Sequence, residues 1–218
     1  MPCACVLMAY LGLSILDGPP RTVQLEIDDW QNTSWGLHAI DRRRISCEVA
    51  IASDGSRMNR CDYEALSHYL IPNGRHRYHT IYLRPPNKAY EIDDVNHVAN
   101  GVECDCTWNT ETLKQTDPEC TGAAQALLTT PKRIGTEQMA GHRVVRYRED
   151  DDDGNSLEVA MAPSAGCEVF EEVRTFRGTF GIPGARRQYR VTSYVAGEPN
   201  PRVFRIPEGY SVGHKGKR

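Results

Sequence analysis

Residues 45–56 read I-S-C-E-V-A-I-A-S-D-G-S, and the fold is decided there. Ile45, Cys47, Val49 and Ile51 share one side, with Ser46 and Glu48 opposite. That period of two is the mark of a strand with one buried face. The strand stops at Ser53-Asp-Gly-Ser56, where Asp-Gly supplies the positive φ angles of a tight hairpin. The returning limb brings Cys61 roughly opposite Cys47, so a cross-strand disulfide is sterically possible if the geometry allows it.

Working outward, Thr22 to Asp28 alternates in the same way, with Val23, Leu25 and Ile27 on one side. Tyr78 to Arg84 and Lys88 to Ile92 flank Pro85-Pro-Asn87, a second hairpin signal. Between the two hairpins, Asp62 to Leu70 reads as two helical turns, with Asp62 as N-cap and Tyr63, Leu66 and Leu70 on one side. Residues 101–130 are polar and cysteine-bearing, and Ala123 to Leu128 is a short helical candidate. This stretch reads as a disulfide-tied insertion. Arg143 to Glu149, Ser156 to Ala162, Cys167 to Phe176 and Ala185 to Ala196 follow as strands joined by short turns. Strands in succession without helices between them imply an antiparallel meander. Val203, Phe204, Ile206 and Tyr210 should anchor the proline-rich end across the sheet, and 213–218 reads as a loose tail. No internal repeat aligns. The expectation is an α+β, mainly β domain over 20–212, built on a single curved antiparallel sheet with a few helices.

The 218 residues carry a net charge of −3, with 39% hydrophobic and 25% charged side chains and a mean hydropathy of −0.54. Such a chain can build a core, so disorder is excluded. A dedicated nucleic-acid binder needs net basic surface, which is lacking. No stretch approaches the ~20 apolar residues of a membrane-spanning helix. The apolar run Val6 to Leu16 has the length of a signal-peptide core, so 1–19 reads as a removable leader. The run has no Lys or Arg before it and no clear A-x-A site after it; the alternative is a buried first strand or helix.

Loss of the leader removes Cys3 and Cys5 and leaves Cys47, Cys61, Cys104, Cys106, Cys120 and Cys167. In an exported chain such a set reads as up to three disulfides, and six cysteines permit 15 pairings. A Cys104–Cys106 bridge would be strained. Reduced thiols in a cytosolic protein are the alternative. A zinc site would need paired C-x₂-C knuckles, whereas the only close pair is Cys104-x-Cys106, with His97 and Cys120 nearby.

No HExxH, GxSxG, P-loop or GxGxxG occurs. The sequence therefore names no catalytic, metal or cofactor residue. His76 and His79 have helical i, i+3 spacing, but a strand there puts them on opposite faces. Glu149-Asp-Asp-Asp-Asp153 before Gly154 invites a calcium loop. Aligning that glycine puts Ala160 where an EF-hand carries its bidentate Glu, so a solvated hairpin tip is the better reading. Arg42-Arg-Arg44 and Arg186-Arg187, joined by Arg174, Arg177 and Arg190, suit a solvated outer face or contact with anionic headgroups or cell-wall polymer. Asn32-Thr-Ser34 matches a glycosylation sequon.

Three segments carry a family resemblance. Gly135-Thr-Glu-Gln-Met-Ala-Gly-His-Arg-Val-Val-Arg-Tyr147, Glu158-Val-Ala-Met-Ala-Pro163 and Gly197-Glu-Pro-Asn-Pro-Arg-Val-Phe-Arg-Ile-Pro-Glu-Gly-Tyr210 resemble the closing strands of bacterial envelope proteins related to the lipoprotein carriers LolA and LolB. The Ser53-Asp-Gly-Ser56 hairpin adds to it. The likeness covers 130–212 and extends to 42–93. Val159-Ala160 stands where the pattern often has Trp, Asn200 replaces Asp, and 101–130 has no counterpart.

The resemblance implies a half-open barrel whose helices cover an apolar concavity that accepts acyl chains in the carriers. Val145, Tyr147, Val191 and Val195 are the residues to watch, in that concavity or in an ordinary packed core. The function implied is a monomeric, non-enzymatic periplasmic or secreted protein with a lipid-like ligand and no cofactor. A periplasmic interaction or stress-sensing module with an envelope protein partner is the alternative, and an uncharacterised hydrolase a third.

Overall fold

The computed structural model describes residues 19–32, 40–65, 74–84, 88–103, 117–178 and 183–214. Residues 1–18, Cys104, Cys106, the Pro85-Pro-Asn87 turn and Thr33-Ser34 lie outside them. Strands run in chain order as β1 (Arg21–Asn32), β2 (Ile40–Ile51), β3 (Arg57–Ala65), β4 (Gly74–Leu83), β5 (Lys88–Asp93) and β6 (Val98–Glu103). After helix α1 (Thr121–Leu127) come β7 (Lys132–Met139), β8 (His142–Asp150), β9 (Ser156–Ala162), β10 (Glu168–Arg177), β11 (Pro183–Ala196) and β12 (Ser211–His214).

All twelve strands form one sheet, in the order β12-β6-β5-β4-β3-β2-β1-β11-β10-β9-β8-β7. Two antiparallel meanders, β1 to β6 and β7 to β11, are joined where β1 pairs with β11. With β12 and β7 as separate edges, the sheet is open and mainly β, as the alternation predicts. The 53–56 hairpin closes as read: Gly55 has φ 86°, its N–H donates to Ala52 O at 3.0 Å, and Asp54 Oδ1 accepts from Ser56 N at 2.7 Å.

Cross-strand partners share a face, so register sorts the side chains. One face carries Val23, Leu25, Ile27, Cys47, Val49, Val145, Tyr147, Val159, Met161 and Val191 in the larger core. Across β1, β2, β3 and β8 to β11, the opposite face carries charge pairs, among them Glu48–Arg60, Asp62–Arg77 and Arg148–Glu158. At one end that face turns apolar. Ala50, Met58, Ile81, Ile92 and Ala99 are covered there by Phe204, with Val203, Ile206 and Tyr210 packed around it. The anchors expected of the C-terminal segment thus close a second core.

Three expectations are corrected. Asp62 to Ala65 continue β3, so Asp62 is no helix cap; residues 66–70 lie outside the described set. Tyr63 pairs with Ile45, and the Asp62 carboxylate takes the Arg77 guanidinium at 2.7 Å, so sheet partners override the local helical spacing. Gly213 and His214 are not tail: they lie in β12, the sheet's parallel strand on β6.

Val195 does not share a face with Val191. Gln24 pairs with Ser193 but Leu25 with Val191, so Thr192 is an extra residue. Such a bulge shifts the alternation by one. Val191 is buried and Val195 is 60% exposed. Val145 and Tyr147 are buried.

Candidate functional site

The larger core is closed by a small piece of chain. Residues 117–130 cross the apolar face, and Cys120, Ala124 and Leu128 are buried in it. Their i, i+4, i+8 spacing makes one stripe, which accounts for the helix expected near 123–128. At seven residues α1 is too short to persist alone. Its N-cap, Cys120, sits at φ 57° and has no side-chain cap bond. The preceding turn is held instead by Asp117, whose carboxylate accepts from Glu119 N at 2.9 Å and Gly122 N at 3.2 Å. Those backbone donors keep the Asp117 carboxyl below its ordinary pKa.

Packing and tethers seat this cover. Cys120 is disulfide-bonded to Cys167, their Cα atoms 5.4 Å apart. Tyr147 Oη donates to Glu119 O at 2.7 Å and lies 3.4 Å from Thr121 Oγ1. The Glu119 carboxylate takes Arg133 at 2.9 Å and Arg143 at 3.1 Å. At the far end Glu149 accepts from Thr129 N, Thr130 N and Thr130 Oγ1 at 3.0–3.1 Å. The other described disulfide, Cys47–Cys61, joins directly paired residues of β2 and β3. It staples the sheet rather than the cover.

Next to the covered face lies a buried ion pair. Arg21, fully buried, reaches Glu168 at 2.6 Å. Arg21 Nη1 also donates to Pro19 O at 2.9 Å. Burial pushes the Glu168 carboxyl up, with Arg21 and a Tyr194 hydrogen bond opposing that rise. The Tyr194 phenol is pushed up to about 12 by burial and by the Glu168 charge. On the opposite face Glu171, nearly buried, accepts from Gln188 and Arg190 at 2.7 Å and from Arg146. These donors hold its carboxyl below the ordinary value although burial acts the other way.

The residues singled out for chemistry are dispersed. His76 and His79 both belong to β4. His79 Nδ1 lies 3.5 Å from Asp94, which also accepts from Tyr210 Oη at 2.9 Å. His142 Nδ1 lies 2.8 Å from Ser164 Oγ, its ring against Phe170 and Tyr194. No carboxylate joins that pair among the described residues, which leaves a hydrogen bond rather than a nucleophile, base and acid. The acidic run forms the β8–β9 turn: Asp151 accepts from Asn155 N and Nδ2 at 2.8 Å, and Gly154 takes φ 82°. Among the described residues no group of His, Cys, Asp or Glu is placed to hold a metal ion, and no helix is long and apolar enough to cross a membrane.

The tethers Glu119 and Glu149 and the pair Arg21–Glu168 carry no motif, whereas Tyr147 closes the first segment of the family resemblance. Arg21 has a signal that a strand read from Thr22 does not use. It continues the Val23, Leu25, Ile27 alternation, which marks a charge aimed at the core.

No family model and no curated protein sequence matches the chain. Solved structures do. MucB of Pseudomonas aeruginosa, in its complex with MucA, is 13% identical over 91% of this chain, with a TM-score of 0.44. The chain spans about 60% of that MucB chain's length. LprF of Mycobacterium bovis is 8% identical over 84% of this chain and 90% of its own, with a TM-score of 0.42. A LolA superfamily protein of Nitrosomonas europaea is 8% identical over 86% and 90%, with a TM-score of 0.21. At such identities the likeness is one of fold alone, and neither ligand nor partner transfers with it.

Proposed function

We propose that the chain is an exported, non-enzymatic, monomeric envelope protein that takes a lipid-like apolar ligand on the covered face of its open sheet. The observation that carries this reading is the closure of the larger core by residues 117–130. The cover inserts only Cys120, Ala124 and Leu128, with Ala123 partly buried. Its ion pairs and carboxylate contacts are surface-exposed and individually weak. A short cover over a continuous apolar face suits a site that opens for an acyl chain, because binding needs apolar area and few polar groups. The two described disulfides support an oxidising compartment such as the periplasm or the exterior.

A dansylated fatty acid added to detergent-free protein tests this by fluorescence. Saturable binding near one probe per chain is expected. In Tyr147→Phe the bond to Glu119 O is lost, a change of about 1 kcal/mol. Probe uptake should therefore be about fivefold faster, because that energy raises the lifted population of the cover. No binding to wild type and variant alike would overturn the reading.

A second reading, an interaction module for an envelope protein, is favoured by β7. It is a terminal strand with Ile134 45% exposed and open space around Gly135, a ready template for strand addition. If it is right, an envelope extract yields a partner whose capture is lost in Thr136→Pro while the melting temperature holds.

A further inference from the structure

The two basic clusters lie more than 130 residues apart in sequence, yet β1 brings them together. Its pairing with β2 sets Trp30 opposite Arg42, Asp29 opposite Arg43 and Asp28 opposite Arg44. Its pairing with β11 sets the same Trp30 opposite Arg186 and Asp29 opposite Arg187. Arg174 of β10 faces Arg187 in turn. Register puts Arg42, Arg44, Arg186 and Trp30 on one face of this end of the sheet and Arg43, Arg187 and Arg174 on the other. Arginines from three strands therefore flank the end of β1 on both sides, across three strand spacings or about 14 Å.

Some of this charge is answered locally. Arg42 Nε holds Asp28 Oδ1 at 2.8 Å, Arg187 holds Asp29 at 3.1 Å, and Arg174 pairs with Glu172. Glu64 is the strand neighbour of Arg44. Among the described residues no ion pair engages Arg43, Arg44 or Arg186. The Asp28 carboxyl is held below its ordinary value chiefly by its hydrogen bond to Arg42, with smaller contributions from the Arg44 and Arg186 charges. The patch ends past β10, where Arg177 lies against Gly154 of the acidic β8–β9 turn.

Aromatic side chains accompany the arginines. Trp30 is half-buried among them, and Phe176, beside Arg177 at the end of β10, is 46% exposed. Guanidinium groups recognise phosphate in a planar, two-pronged way that ammonium groups do not. Tryptophan and phenylalanine favour the boundary between headgroups and acyl chains. An acidic protein would answer the charge but would give Phe176 no particular role.

We propose that this end of the sheet, the adjoining ends of β2, β1, β11 and β10, docks on an anionic phospholipid surface. Docking here is independent of whether the covered face takes a ligand.

Flotation of the whole protein with vesicles tests it. One set is phosphatidylcholine, and the other carries 30 mol% phosphatidylglycerol. Binding is expected to the anionic vesicles only, and loss of it above ~0.5 M salt, where charges are screened. Each arginine contributes about fivefold to affinity, so Arg43→Gln/Arg44→Gln/Arg186→Gln should bind roughly 100-fold more weakly with an unchanged melting temperature. Phe176→Ala should weaken binding further. A control removing Lys132, Arg202 and Arg205 should bind as wild type does. Absence of binding to anionic vesicles at low salt, or an equal loss in control and variant, overturns the proposal. Retention on immobilised polyglutamate without vesicle binding overturns it in favour of an acidic protein.

Discussion

Replacing Arg21 with methionine is expected to cost about 3–5 kcal/mol of stability at neutral pH, a fall in Tm of roughly 10 °C for a chain of this size. Methionine fills much of the arginine's volume, so packing loss is the smaller part. The larger part is Glu168, left buried without its cation. The pH dependence identifies the cause. Burial already raises the Glu168 pKa, and Arg21 is the largest influence lowering it, so the variant's Glu168 moves higher still. Below the unfolded-state value, about 4.3, the carboxyl is protonated in both states and the variant's deficit is least. As pH rises through the elevated folded-state value, the deficit grows and then levels. Denaturant melts at pH 4 and pH 8 read this directly, and Arg21→Met/Glu168→Gln should recover most of the loss. A deficit of the same size at both pH values would show that Arg21 acts by packing alone.

Arg21 continues an apolar alternation by one position, yet the reading that starts the strand at Thr22 passes over it, which shows how far local pattern reaches. The pattern is reliable where one face of a strand meets a core, and β1 follows it closely from Arg21 to Ile27. Pattern fails where the chain departs from strict period two. The extra residue Thr192 moves Val195 to the other face, and nothing in V-T-S-Y-V announces it. Pattern also fails where two periods fit. Tyr63 and Leu66 suit a helix as well as a strand, and the pairing of Tyr63 with Ile45 settles it.

Topology was beyond reach for a different reason. The meeting of β1 with β11, 160 residues along the chain, depends on which edges remain unpaired once the meanders form, and no local residue encodes that. The basic patch is a consequence of that meeting. The candidate site was half legible. The cysteines marked 101–130 as tied down, but which cysteine Cys120 joins and which face the cover closes follow from the sheet.

The cover yields the other large effect. Breaking Cys120–Cys167 by double substitution to alanine removes a cross-link spanning 47 residues, about 4 kcal/mol by loop entropy. Cys47–Cys61 spans 14 residues, about 3 kcal/mol on the same scale. The totals are close, but they fall on different structures. Cys47 and Cys61 lie within a register of paired residues from Arg43–Ala65 to Ile51–Arg57, so without the bond the hairpin keeps its ladder and unfolds with the sheet. Cys120 begins a seven-residue helix with no side-chain cap. Once untied, that helix is held by its buried stripe, the Asp117 turn, the Tyr147 bond, the Glu149 contacts and exposed ion pairs.

Hydrogen exchange separates the two. In Cys120→Ala/Cys167→Ala the amides of Ala124 and Leu128, which bond to Cys120 O and Ala124 O, should exchange at least 100-fold faster, while β1 amides speed up only as far as global stability falls. The Cys47→Ala/Cys61→Ala variant should show no such local excess. The same opening should admit an apolar dye to the face under Leu128, where Val144, Val145 and Met161 lie in the core. Uniform acceleration across cover and sheet would mean that the cover is an integral part of the fold and not a separable lid. The proposed ligand would then need another way in.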